Sequence, residues 1–113
     1  MLRSGSLPIL AALACAAPAT AQETLSPEQA ETRLRGCLQA GAAGAPRTGL
    51  RDAVIATRAF CAPQIRRVRA NRVAAATQGL TDEAAERAAR QATQELNDEI
   101  ALAIANFTGL RTL

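Results

Sequence analysis

The chain has 113 residues, a net charge of +3, three cysteines, and no His, Trp or Tyr. Once a targeting segment is set aside, that length closes one small domain and no more. Without His, neither Cys/His zinc sites nor imidazole-activated nucleophiles can be built, and so small a net charge points to no particular anionic partner.

Residues 1–21 read as a secretory signal peptide. Arg3 supplies the positive start, Leu7 to Ala17 is a short apolar run, and Ala19-Thr20-Ala21 has the small-x-small form of a cleavage site. The run falls short of the roughly 20 residues that a transmembrane helix needs. Lipidation at Cys15 is the rival reading. It is the weaker one, because Ala12-Leu13-Ala14 puts no Leu three places before the Cys. The expected address is therefore the periplasm or the exterior, with residues 22–113 as a single small helical domain. Every basic residue is Arg, a usage in keeping with a GC-rich bacterial genome.

The first helix starts at Ser26-Pro27-Glu28-Gln29. Ser is the N-cap, Pro takes the first helical position, and Gln three residues on completes a capping box. Ala30, Leu34, Cys37, Leu38 and Gly41 share one face, and the breaker-rich Gly41 to Pro46 predicts an end near Ala40. The second helix starts after Thr48-Gly49. Leu50, Val54, Cys61, Ile65 and Val68 lie on one side if it runs past Cys61. Pro63 removes a backbone bond there, so the helix either kinks or stops and restarts. The apolar face keeps its phase across the proline, which favours a kinked continuous helix ending at Gln78-Gly79.

The third helix is the longest. Ala85, Ala89, Ala92, Leu96, Ile100, Ala103 and Phe107 recur every four or three residues. Thr81 is its expected N-cap, with Asp82, Glu83 and Glu86 at the positive end of the helix dipole. Thr108-Gly109 closes it, with Leu110 folding back. The short connection makes the second and third helices antiparallel neighbours. The expected fold is all-α, with three helices: a kinked antiparallel hairpin and an N-terminal helix packed across it.

Cys37 and Cys61 both fall on apolar faces. In an oxidising compartment they are expected to pair, closing a loop of about 25 residues worth roughly 3 kcal/mol in the chain-entropy model. No CxxC spacing or His supports a reactive thiol. Metal and cofactor sites are not expected, since two distant Cys make a poor ligand set.

Glu95 and Glu99 stand four apart, as a general acid–base pair could. Arg51, Arg58 and Arg69 edge the facing stripe, so ion pairs such as Arg58–Glu99 explain the carboxylates without catalysis. No catalytic residues and no enzyme are expected. Arg66, Arg67, Arg69 and Arg72 form the one basic cluster and are the candidate contacts for an anionic envelope lipid. Nucleic acid is excluded as a partner by export and by the lack of aromatic platforms. Finally, Leu102 and Ile104 fall off the main stripe on opposite sides. With Ile100 and Phe107 they mark a candidate interaction surface for an unknown protein partner or a homo-oligomer.

Overall fold

The computed structural model describes Gly5 and residues 25–111. The signal-peptide assignment, Cys15 and Leu113 lie outside the described residues. There are four helices: α1 Pro27–Ala43, α2 Leu50–Phe60, α3 Ala62–Ala76 and α4 Asp82–Thr108. The described residues contain no strand. The all-α reading stands; the count of three helices does not.

α1 begins as its sequence predicts. The Gln29 backbone N–H donates to Ser26 Oγ at 3.1 Å, and the Ser26 N–H donates to Gln29 Oε1 at 2.9 Å. The helix then runs past Ala40 to Ala43, through Gly41. Gly41 serves close approach rather than termination. A Cβ there would lie 3.0 Å from both Phe60 Cδ1 and Thr57 Cγ2, and 3.7 Å from Cys61 Sγ. Its bare backbone lets α1 settle against α2 beside the disulfide.

The single kinked helix expected between Gly49 and Gly79 is two helices, broken at Cys61. Pro63 has no N–H to offer the carbonyl four residues back, and its ring crowds that carbonyl. The chain leaves helical geometry at Cys61 (φ −103°, ψ 15°), and Pro63 is placed in the first turn of α3. The interruption lasts one residue: Cys61 N–H still reaches Thr57 O at 2.9 Å, and Ile65 N–H reaches Cys61 O at 3.0 Å. Ala53, Thr57, Cys61, Ile65 and Val68 accordingly form one buried line across both helices. The expected face holds for Cys61, Ile65 and Val68; in α2 it is shifted by three residues, with Ala53 and Thr57 buried and Leu50 and Val54 only partly so, and the helix is broken rather than kinked.

Gly79, with φ +76°, makes the turn into α4. Thr81 is extended as an N-cap should be, but its side chain makes no capping bond. The following Asp82 takes a left-handed conformation, φ 51°, which Asp tolerates better than most residues. α4 buries Ala92, Leu96, Ile100, Ile104 and Thr108, a step of four throughout. Because four residues overshoot a 3.6-residue turn, this line winds slowly around α4 as successive neighbours cover it. Gly109 (φ +74°) ends the helix, Leu110 packs against the core, and Arg47 Nη1 donates to Thr108 O at 3.0 Å. That guanidinium satisfies a terminal carbonyl where the helix dipole is negative.

The Cys37 and Cys61 sulfurs stand at bonding distance, with Cα atoms 5.9 Å apart. The bridge joins α1 to the α2–α3 break. Around it the core gathers Leu34 and Leu38 of α1, Ile65 and Val68 of α3, and Leu96, Ile100 and Ile104 of α4. No helix of the described residues is long and apolar enough to cross a membrane.

Candidate functional site

Two kinds of charged feature emerge, one inside the helix junction and one outside it. The inner feature centres on Arg72. It follows Ile65 and Val68 at i+7 and i+4, so helical geometry turns it toward the core rather than toward solvent. Its Nε and Nη2 donate to Glu31 Oε1 and Oε2 of α1 at 2.8 and 3.0 Å, and its Nη1 pairs with Glu99 Oε2 of α4 at 2.6 Å. One guanidinium thus ties three helices together, bidentate on one side. The Arg72 side chain is 29% exposed, against 37% for Glu31 and 58% for Glu99. The hydrogen bonds to Glu31, and then to Glu99, push the guanidinium pKa further above its already high value, against the opposing effect of burial.

This placement corrects two sequence expectations. Arg72 does not belong to a solvated cluster with Arg66, Arg67 and Arg69. Glu99 is bonded by Arg72, whereas Arg58 makes no ion pair among the described residues. Cross-helix pairing does occupy one of the two carboxylates, but the partner comes from the buried face of α3 rather than from the edge of α2. Glu95 accepts a hydrogen bond from Gln91 Nε2 at 3.1 Å on the outside of α4.

Behind the clasp lies a cleft of about 190 Å³ between α1 and α4, floored by Leu34, Leu38, Leu96, Ile100 and Ala103. It is small beside the roughly 300–1,000 Å³ typical of ligand pockets. Its mouth carries Glu31, Glu99, Arg35 and Arg72, equal numbers of each sign, and so selects neither anions nor cations. Thr57 Oγ1 and Gln64 Oε1 are buried with no hydrogen-bond partner among the described residues.

The proposed apolar surface divides. Ile100 and Ile104, 1% and 0% exposed, are consumed by the protein's own core. Ile100 lies on the expected core stripe; Ile104 joins it because the buried line steps by four from Ile100 rather than by three to Ala103 and on to Phe107. Leu102 is 64% exposed and Phe107 40%. Five residues apart, these two point about 140° away from each other around α4, so they do not form one patch.

The outer feature is a separation of charge. α2 and α3 together carry six Arg against one Asp, while α4 carries six acids against two Arg. Arg66 and Arg67 are exposed and Arg69 is partly so. Apart from the Arg72 clasp, the one ion pair among the described residues is Arg87–Glu83 within α4. Exposed aliphatic side chains sit inside both fields: Ile55 (59%) on α2 and Leu102 on α4. Sequence reasoning missed Ile55, though Arg51 and Arg58 on the same helical face mark it. Among the described residues no group of three or more His, Cys, Asp or Glu could hold a metal. Comparison of the chain with family models, curated proteins and solved structures finds no match.

Proposed function

We propose that this chain is a small exported helical protein that acts by binding another macromolecule, without catalysis. The observation that carries this reading is the outer surface. Charges of opposite sign are sorted onto different helices, most make no ion pair among the described residues, and two large aliphatic side chains stand exposed among them. A single exposed aliphatic is ordinary on a protein surface, so the weight rests on the sorting of unpaired charge around these two, which favours a partner of complementary sign. The inner clasp, in contrast, has its guanidinium engaged on both sides by carboxylates of the same chain.

The export assignment is tested by intact mass from the native compartment. A chain starting at Gln22 and lacking two hydrogens fits it, and a chain retaining residues 1–21 contradicts it. The binding role is tested by placing a photo-reactive side chain at Ile55 or Leu102 in cells. The expected result is a discrete protein adduct at these sites and none at the exposed Arg33 of α1. An absence of adducts at both removes the reading.

A second reading assigns Arg66, Arg67 and Arg69 to phosphate of the cell envelope, with Arg72 no longer among them. It is favoured by α3 carrying these three Arg beyond the clasped Arg72 and no acid. It requires salt-sensitive binding to anionic vesicles that is lost when the three become Gln. Salt-insensitive binding, or none, excludes it.

A further inference from the structure

We propose that the partner is a second copy of this chain, with the outer stripe of α2 in one copy docking on the outer stripe of α4 in the next. This rests on the binding role proposed above and names the partner.

The α2 stripe is Arg51, Ile55 and Arg58. These positions follow at i, i+4 and i+7, so they lie within about 60° of one another on one face. That face is opposite to the one that buries Ala53 and Thr57 at 0% exposure. The α4 stripe is Glu95, Asp98 and Leu102, at i, i+3 and i+7, on the face turned away from Leu96 and Ile100. Each stripe is about 10 Å long and presents one aliphatic side chain beside two charges of one sign. The signs are opposite. Ile55 and Leu102 are the two most exposed large aliphatic residues among the described residues, at 59% and 64%. None of the four charged side chains has an ion pair among the described residues.

With Ile55 set against Leu102 and the helices antiparallel, Arg58 falls opposite Asp98, with Glu95 one turn further along. The aliphatic contact removes apolar area from water on both sides, and the opposite charges beside it select which stripe meets which. Each copy carries one stripe of each kind, so the α2–α4 contact either closes reciprocally in a two-fold dimer or propagates head to tail. Two single-helix stripes bury less than the roughly 800 Å² per partner of a standard interface, and the association is accordingly weak, reversible and dependent on salt.

The test is sedimentation of the mature, disulfide-bonded chain up to about 1 mM, in salt from about 50 mM to about 0.5 M. The expected result is a mass above the monomer that grows with concentration at low salt and collapses to the monomer at high salt. Two charge-reversed variants are then compared, Arg51→Glu with Arg58→Glu and Glu95→Arg with Asp98→Arg. All four positions are solvent-facing or half-buried, and circular dichroism confirms that each variant folds. Each variant alone should associate roughly tenfold or more weakly than the natural chain, and an equimolar mixture should recover association. A natural chain that stays monomeric throughout overturns the inference, as do variants that self-associate unchanged or a mixture that recovers nothing. A monomer that still yields a heterologous protein adduct at Leu102 in cells defeats the self-association alone. A monomer with no adduct that binds anionic vesicles defeats the protein-binding role as well.

Discussion

Arg67 and Arg72 stand five residues apart on α3 and do different work. Arg67 faces solvent, whereas Arg72 lies on the line of Ile65 and Val68 and closes a three-helix clasp with Glu31 and Glu99. The same contrast separates Leu96 from Leu102 on α4, six residues apart, at 1% and 64% exposure. In both pairs the residue type is identical, and the angle around the helix decides whether it holds the fold or meets the outside.

Substitutions at these pairs turn the contrast into numbers. The largest effect is expected from Leu96→Ala, which should cost about 2–5 kcal/mol through lost burial and the cavity left behind, while Leu102→Ala stays within about 0.5 kcal/mol. Denaturant midpoints of the two variants measure the difference. Next is the disulfide: replacing Cys37 and Cys61 together by Ala should remove roughly 3 kcal/mol by freeing the unfolded chain. A loss near zero would mean that the helices hold their register without the bridge.

Arg72→Gln should cost about 1–2 kcal/mol and Arg67→Gln less than about 0.5 kcal/mol, because only the first leaves two carboxylates without their cation. The clasp also has a pH signature. A guanidinium whose pKa is raised on folding contributes stability below its unfolded pKa and loses it only as pH climbs through the folded value. Both values lie above the working range. The gap between the natural chain and Arg72→Gln should therefore stay constant from neutral pH to about pH 10, by thermal or chemical unfolding. A gap that closes over that interval would mean that another group carries it. Two effects nearly cancel at Gly41→Ala. Helix propensity favours Ala by about 1 kcal/mol, and contacts at 3.0 Å with Thr57 and Phe60 oppose it. The net change should be below about 1 kcal/mol, whereas Gly41→Leu, which no small shift accommodates, should cost more than about 2 kcal/mol.

Much of the fold was legible. The capping box at Ser26, the Gly109 stop and most of the buried residues follow from spacing, because each is fixed by contacts within a turn or two or by helical periodicity; the Cys37–Cys61 pairing follows from two cysteines on apolar faces in a chain read as exported. The features that were missed depend on neighbours distant in sequence. A one-residue break and a kink preserve the same periodicity, so Pro63 alone did not separate them. Steps of three and four are equally helical, and only the cover provided by the other helices decides between Phe107 and Ile104. Charge alone groups Arg72 with Arg66 and Arg67, whereas its spacing from Val68 places it on the apolar face. For the candidate site the same limit applies. Leu102 was recognised as surplus to the core, while its acidic setting and the matching stripe around Ile55 required knowing which helix faces lie outward.

The most direct test sets an inner arginine against an outer one in a single experiment, sedimentation at low salt of Arg72→Gln beside Arg58→Gln. If inner charge holds the fold and outer charge makes the contact, the Arg72 variant, though less stable, associates like the natural chain. The Arg58 variant keeps its stability and associates more weakly. Association lost in the Arg72 variant and retained in the Arg58 variant would contradict the account.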